Sequence, residues 1–250
     1  MINFGVSAQT IVPLRKEPSD KSELTSQILY GECFEILRRE ENWSQIKTAY
    51  DNYVGWIDNK QINCIEKKIY LEYNAQNEIF CDDLVNFIVD EKKNKQTVVL
   101  GSILNLTAHL NHKFEGKCTN SKSAKNNIIK TSMRYLNSPY LWGGKSPFGI
   151  DCSGFTQMVY RINGLKLKRD ASQQAKQGKK IKLIKNSKAG DLAFFKNSKG
   201  VITHVGIILE KNQIIHAHGK VRIDKLTSEG IYNVIEKKIS HNLATIKSHF

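Results

Sequence analysis

The stretch NSPYLWGGKSPFGIDCSGFTQMVYRI (residues 137–162) decides how the rest of the chain is read. It begins as a loop rich in Gly and Pro and changes character at Asp151. After DCSG the apolar residues recur at helical spacing, so a helix is expected over Ser153–Ile162, with Cys152 delivered to its start. A thiol at a helix N-terminus feels the positive end of the macrodipole, which favours thiolate, the attacking form. The small residues Ser153 and Gly154 let a substrate approach the backbone closely, and the amide of Cys152 can help hold an oxyanion.

Working outward, three short apolar runs follow, AGDLAFFKN (189–197), THVGIILEK (203–211) and QIIHAHG (213–219). Gly, Asn and Lys punctuate them, and antiparallel strands are expected. A nucleophilic thiolate needs a proton acceptor that later returns the proton to the leaving amine, and histidine is suited to that exchange near neutral pH. Seven histidines are available. His204 stands at the start of HVGIIL, and a hairpin would bring His216 beside it as the orienting third group. His218 shares the face of His216 by period 2 and is its rival. On the other side, SKSAKNNIIKTSMRYL (121–136) reads as an amphipathic helix with Ile128, Ile129, Met133 and Leu136 on one side. Helix, nucleophile helix, then sheet is an α+β order.

The first 60 residues differ in style. TIVPLRKEPSD, LTSQILYGECFEILRREENWSQIKT and NYVGWID alternate β-rich runs with turn signals, including a polar turn at Glu40–Asn42, and a small barrel is the economical closure. Residues 61–122 are less legible: LVNFIVD and TVVLGSIL suggest strands, LEYNAQNEIFCDDL is ambiguous between helix and loop, and a second small barrel is expected. His109 and His112 form a lone HxxH without a matching carboxylate or thiolate, which reads as surface rather than metal.

Composition narrows the function classes. At 250 residues and 28.5 kDa the chain accommodates two or three compact units. No apolar run approaches the roughly 18 residues a membrane span needs, and the first residues lack the pattern of a secretory signal. A soluble, cytoplasmic protein is expected, and a monomer. Five cysteines, Cys33, Cys64, Cys81, Cys118 and Cys152, form no CxxC pair and suit neither a disulfide framework nor a zinc site. Cys33, Cys64 and Cys81 are expected to be buried small hydrophobes. The net charge of +14 is spread along the chain, densest from Lys166 to Lys188, and no zinc-finger, RNP-like or basic-helix pattern accompanies it, so a solvated basic face is expected and nucleic acid is not.

Two resemblances then enter. VPLRKEPSDKSELTSQILYGECFEILRREENWSQIKTAYDNYVGWI looks like a bacterial SH3 domain, by Gly31-Glu32, Asn42-Trp43 and Gly55-Trp56. PYLWGG, DCSGF, RDASQQAKQG, GDLAFF, THVGIIL and IIHAHG, in that order, closely resemble the NlpC/P60 peptidase family. The resemblances imply a papain-like C-terminal domain (123–250) preceded by one SH3-like barrel (1–60) and a second, divergent one (61–122), an α+β chain overall. They imply a Cys/His/His site that cuts peptide bonds of peptidoglycan stems with no metal or cofactor. Cys152 matches the family's nucleophile, His204 its base and His216 its third polar residue. Tyr140 matches a tyrosine whose hydroxyl lies near the cysteine, and Trp142, Asp151, Ser153, Arg169 and Asp170 match positions lining the cleft. Arg169 either grips a substrate carboxylate or ties its own loop to Asp170. The pairing of barrel and catalytic domain resembles the γ-D-glutamyl-L-diamino-acid endopeptidases, in which the first barrel selects a free N-terminal L-alanine. By motif position Glu23 and Tyr53 are the expected ammonium site, with Glu17 a rival for the acid. A wall- or peptide-binding module, and a thiol amidase or acyltransferase of the same fold, are the alternatives.

Overall fold

The structure is a computed structural model that describes residues 3–120, 125–234 and 236–250. The expected boundary at 122–123 lies outside the described residues. The chain divides into two compact units, Met1–Ser121 with Trp142–Pro147, and Lys122–Leu141 with Phe148–Phe250.

In the first unit, β1 (Phe4–Val6), β2 (Ile11–Arg15), β3 (Leu24–Leu29), β4 (Cys33–Arg39), β5 (Trp43–Thr48), β6 (Val54–Asp58) and β7 (Asn63–Ile65) form one antiparallel sheet in the order β3-β2-β6-β5-β4-β1-β7. The expected polar turn joins β4 to β5, closed by the Glu40 amide donating to Trp43 O at 2.8 Å. Alternate residues of the strands point inward, and Val12, Leu14, Ile28, Phe34, Ile36, Ile46 and Ile57 pack into one buried cluster that closes the small barrel. Each such side chain contributes about 1.5–3 kcal/mol relative to exposure.

The middle segment contains helix α1 (Lys67–Ala75) and strands β8 (Ile79–Cys81), β9 (Val85–Asp90), β10 (Lys95–Val99), β11 (His112–Phe114) and β12 (Cys118–Asn120). The strands pair as β10-β9-β11 and β12-β8. The ambiguous run LEYNAQNEIFCDDL is helix at its start and strand β8 near its end. Tyr30 of the barrel packs with Cys81, Ile88, Val98 and Leu104, so barrel and middle segment share a core. Gly31 adopts φ +79°, and a Cβ there would fall 1.9 Å from Ile103 O, so only glycine lets the two backbones meet. The loop strand β13 (Lys145–Ser146) is held in this unit by a buried ion pair, Lys145 Nζ to Glu32 Oε1 at 3.0 Å, and by its amide donating to Gln27 Oε1 at 2.8 Å.

Two expectations fail in this unit. Cys33 and Cys81 are buried, but Cys64 is exposed, because β7 is an edge strand whose middle residue points outward. His112 is half-buried rather than on the surface, with Nδ1 2.8 Å from Tyr30 Oη, and burial lowers its pKa.

The second unit comprises α2 (Lys125–Arg134), β14 (Gly149–Ile150), α3 (Cys152–Ile162), α4 (Ala171–Gln174), β15 (Lys179–Ile181), β16 (Leu192–Lys196), β17 (Ile202–Ile208), β18 (Gln213–His218), β19 (Lys220–Leu226), β20 (Gly230–Asn233) and β21 (Lys238–Ser248). The sheet runs β15-β21-β16-β17-β18-β19-β20, and β21 also pairs with β20. The long strand β21 therefore closes β16–β20 on themselves and leaves few open edges. Ala193, Phe195, Ile208, Ile214, Leu226, Ile231 and Ile246 form a buried cluster on one face of these strands.

Helix α3 packs against α2, β17 and β18, and every one of its residues is buried. Two of its polar side chains bond inside the unit: Thr156 Oγ1 donates to Gln174 Oε1 at 2.7 Å, and Gln157 Nε2 to Leu167 O at 3.1 Å. The buried face of α2 is Ile128, Thr131 and Ser132, continued by Tyr135, not the apolar stripe expected through Met133 and Leu136, which are 40% and 36% exposed. The reason lies in the partner: Asn163 Nδ2 donates to Thr131 Oγ1 at 3.0 Å, and Tyr135 meets Phe155 edge to face. The lysines between Lys166 and Lys188 are exposed, as the solvated-face expectation has it, whereas Arg169 among them is 2% exposed. No helix among the described residues is long and apolar enough to cross a membrane.

Candidate active site

Cys152 is the first residue of α3, and Asp151 caps the helix by accepting from the Gly154 amide at 2.6 Å. The Cys152 thiol is directed at the β17 backbone, 4.0 Å from Thr203 O, with the amides of Val205 and Ser153 directed at the sulfur. Its own amide has no partner within the helix, as for any first-turn N–H. The segment flanking the sulfur carries His204. His204 Nε2 lies 2.8 Å from His216 Nδ1, and the two rings stand nearly perpendicular. Gly206 makes this contact sterically permissible: a Cβ there would lie 2.8 Å from Ile214 Cδ1 and 2.9 Å from His216 Cβ. His216 therefore takes the place beside His204, while its rival His218 is exposed, its ring 6.4 Å from that of His204.

The structure overturns the expectation that the helix terminus keeps Cys152 as thiolate. Burial, reinforced by the Asp151 carboxylate, pushes the thiol up to about 12 against the opposing pull of the Val205 and Ser153 amides and Arg169. The macrodipole is worth only about 0.3–1 kcal/mol, and removing a thiolate from water costs more. Burial also holds His204 well below the ordinary histidine range, and the fields of His216, His241 and His218 add to it. Both shifts favour the uncharged forms, thiol and imidazole. No hydrogen bond joins Cys152 to His204 among the described residues.

Tyr140 is 36% exposed and pairs by a bridge with Ile150. Burial, then the fields of Cys152 and Asp151, push its hydroxyl up to about 12, so it is a hydrogen-bond donor at neutral pH. Arg169 grips a carboxylate bidentately, but that carboxylate is Asp151: Nη2 to Oδ2 at 2.6 Å and Nη1 to Oδ1 at 3.0 Å, with Ser153 Oγ also 3.0 Å from Nη1. Asp170 stands at the N-cap of α4 without a side-chain capping bond. In the first unit, Trp142 Nε1 donates to Glu23 Oε1 at 2.9 Å, and Lys16 Nζ lies 3.5 Å from Glu23 Oε2. Tyr53 is half-buried against the barrel core, and Glu17 is exposed, its amide bonded to Ser22 Oγ.

Two members of the constellation escape sequence reasoning. Asp224 Oδ2 lies 2.9 Å from His216 Nε2, and the His241 ring stacks on His204 at a centroid distance of 4.2 Å. Asp224 was findable as the inward position of the alternating run KVRIDKL; His241 carried no signal, because its place follows from the closure of β21 on β20.

Residues 137–238 match the NlpC/P60 family, and residues 14–62 match the bacterial dipeptidyl-peptidase Sh3 domain. The chain is 30% identical over 236 residues to dipeptidyl-peptidase 6 of Lysinibacillus sphaericus, covering 82% of this chain and 83% of that one. It is 45% identical over 98 residues to the γ-D-glutamyl-L-lysine dipeptidyl-peptidase of Bacillus subtilis, 38% of this chain and 33% of the relative. The chain thus matches only a third of that relative's length. An NlpC/P60 family protein from Bacillus cereus shares the fold, with a TM-score of 0.77 over 98% of this chain and 99% of its own at 18% identity. With its thiol at the head of a buried helix and a histidine pair on the adjoining strands, the chain belongs to the NlpC/P60 peptidase family and carries a bacterial dipeptidyl-peptidase SH3 domain ahead of the peptidase fold.

Proposed function

We propose that the chain is a cysteine peptidase that hydrolyses the bond between γ-D-glutamate and the diamino acid of peptidoglycan stem peptides. The observation that carries this is the His204–His216 hydrogen bond on the strand that flanks the Cys152 thiol. His204 takes the thiol proton, and the sulfur attacks the amide carbon. The oxyanion is met by the Cys152 amide, with the Tyr140 hydroxyl as a second donor. The C–N bond breaks as His204 returns the proton to the departing amine, leaving a thioester on Cys152. His204 then deprotonates a water, which attacks the thioester; the acid departs and the sulfur recovers its proton. His216 orients the base. Asp151, Ser153 and Arg169 act as a bonded group that fixes the first turn of α3, and Asp170 and Trp142 belong to the substrate-binding set.

The names of the relatives support the substrate class. On resemblance, free muropeptides with an N-terminal L-alanine are the substrate, Glu23 and Tyr53 hold its ammonium group, and the setting is recycling in the cytoplasm by a monomer. The domain limits 1–60, 61–122 and 123–250, with the middle segment a second SH3-like domain, belong to the same proposal.

The test is mass spectrometry of L-Ala-γ-D-Glu-diamino-acid peptides, with free and acetylated N-termini, incubated with the protein and with Cys152→Ala. Release of L-Ala-D-Glu from the free peptide alone, lost in the variant, is expected. No release from either peptide refutes the peptidase reading, and equal release from both refutes selection of the free N-terminus. Unchanged discrimination in Glu23→Ala removes Glu23 from that selection.

A further inference from the structure

The hydrogen-bond chain does not stop at His216. Beyond it lies Asp224, 8% exposed, whose Oδ2 is 2.9 Å from His216 Nε2. Arg222 grips the same carboxylate, Nε at 2.8 Å from Oδ2 and Nη2 at 2.8 Å from Oδ1. Strand alternation puts Arg222 and Asp224 on one face of β19, and the β18–β19 register sets Ile214 opposite Asp224 and His216 opposite Arg222, so Asp224 reaches His216 diagonally.

We propose that Asp224 is a positioning residue that sets the direction of the whole hydrogen-bond chain and thereby selects Nδ1 of His204 as the basic nitrogen. This rests on the assignment of Cys152 and His204 as nucleophile and base. The logic follows from which groups donate. An ionised carboxylate only accepts and a guanidinium only donates. With Arg222 donating to both its oxygens, Asp224 remains a carboxylate, and His216 Nε2 must carry the proton between them. The neutral His216 ring then has a lone pair at Nδ1, so His204 Nε2, 2.8 Å away, must be the donor. That leaves His204 Nδ1 bare and able to take the thiol proton. His216 is fully buried and His204 6% exposed, so bulk water does not compete for these contacts. Neither other histidine diverts the base: His218 and His241 meet His204 only through ring contacts, and His241 Nδ1 is 2.9 Å from Ser240 Oγ. Burial, the largest single influence, works to raise the Asp224 carboxyl, but hydrogen bonds from His216 and Arg222 outweigh it and hold the group below its ordinary value. When His204 becomes imidazolium, the fixed negative charge at the far end of the chain stabilises it without a further proton transfer.

Asp224→Asn removes the compulsion. Its amide must point a donor either at Arg222 or at His216, so the chain no longer runs one way. The experiment combines 15N NMR of the imidazole rings near neutral pH with steady-state hydrolysis of the L-Ala-γ-D-Glu-diamino-acid peptide. In the wild type, both His204 and His216 are expected as Nε2–H tautomers. In Asp224→Asn, His204 should populate the Nδ1–H form, and kcat should fall about 10- to 100-fold with KM changed less than about threefold, since a base in the wrong tautomer loses part of its general-base contribution. Arg222→Gln, which leaves the carboxylate facing His216, should keep both tautomers. Retention of the Nε2–H form at His204 in Asp224→Asn, or an unchanged kcat, would overturn the proposal. If that variant does not fold, an Nδ1–H form at either histidine in the wild type overturns it equally. Predicted tautomers in a wild-type chain that hydrolyses no peptide would refute the peptidase reading and leave the direction of the chain standing.

Discussion

Arg169→Met is the most demanding test of the site's support. The guanidinium and the Asp151 carboxylate are 2% and 7% exposed at their side chains and share two hydrogen bonds, of 2.6 and 3.0 Å. Methionine fills similar space but leaves the carboxylate buried without its cation, a change that costs about 3–5 kcal/mol. Asp151 retains the Gly154 amide at 2.6 Å and Ser153 Oγ at 3.3 Å, which places the expected loss at the lower end, about 3 kcal/mol. At roughly 2–4 °C per kcal/mol for a chain of this size, the transition should fall by about 6–12 °C. All three tryptophans, Trp43, Trp56 and Trp142, belong to the first unit, so their fluorescence does not report on this change. Calorimetry does, together with amide hydrogen exchange of peptides from α3, which should lose protection from its N-terminal turn onward. The double variant Asp151→Asn/Arg169→Met should recover part of the loss, because no unpaired charge remains. A fall of less than about 2 °C in Arg169→Met, or a double variant that loses the plain sum of the single losses, would show that the pair does not hold the helix start.

Stability should decline as pH falls below the ordinary histidine value. Burial lowers His204, His216, His249 and His112, and takes His241 to about 4, so between 6.5 and these lowered values the unfolded chain binds protons that the folded chain does not. Melting temperature should be nearly flat above pH 7 and fall from about 6.5 downward; a flat profile to pH 5 refutes the burial of these rings. Gly206→Ala should cost about 1–3 kcal/mol and lower kcat more than it changes KM, since its methyl meets Ile214 and His216; full activity would show that the histidine pair tolerates displacement. Under brief labelling with a thiol reagent at neutral pH, the two exposed cysteines, Cys64 and Cys118, should react ahead of Cys33, Cys81 and Cys152; early modification of Cys152 would contradict the protonated, buried thiol.

The sequence by itself determined most of the elements and the candidate side chains of the site. Short apolar runs bounded by turn residues produced β4, β5, β16, β17 and β18, and the loop-to-helix transition at DCSG produced α3 within one residue of its observed start, because these signals are local to the chain. The choice of Cys152, His204 and His216 rested on the same local context. What only tertiary structure decided depends on partners distant in sequence. Cys152 is held as a thiol by burial beneath β17, a property no helix-terminus rule contains. Arg169 meets Asp151, 18 residues away, rather than a group in its own loop. The buried face of α2 follows Asn163 and Phe155 rather than its apolar residues. Asp224 and His241 reach the histidine pair because strand register and the return of β21 carry them there. A hydrogen bond needs its partners within about 3 Å, and sequence spacing sets only which face a residue takes; the packing of strands against one another sets who stands opposite.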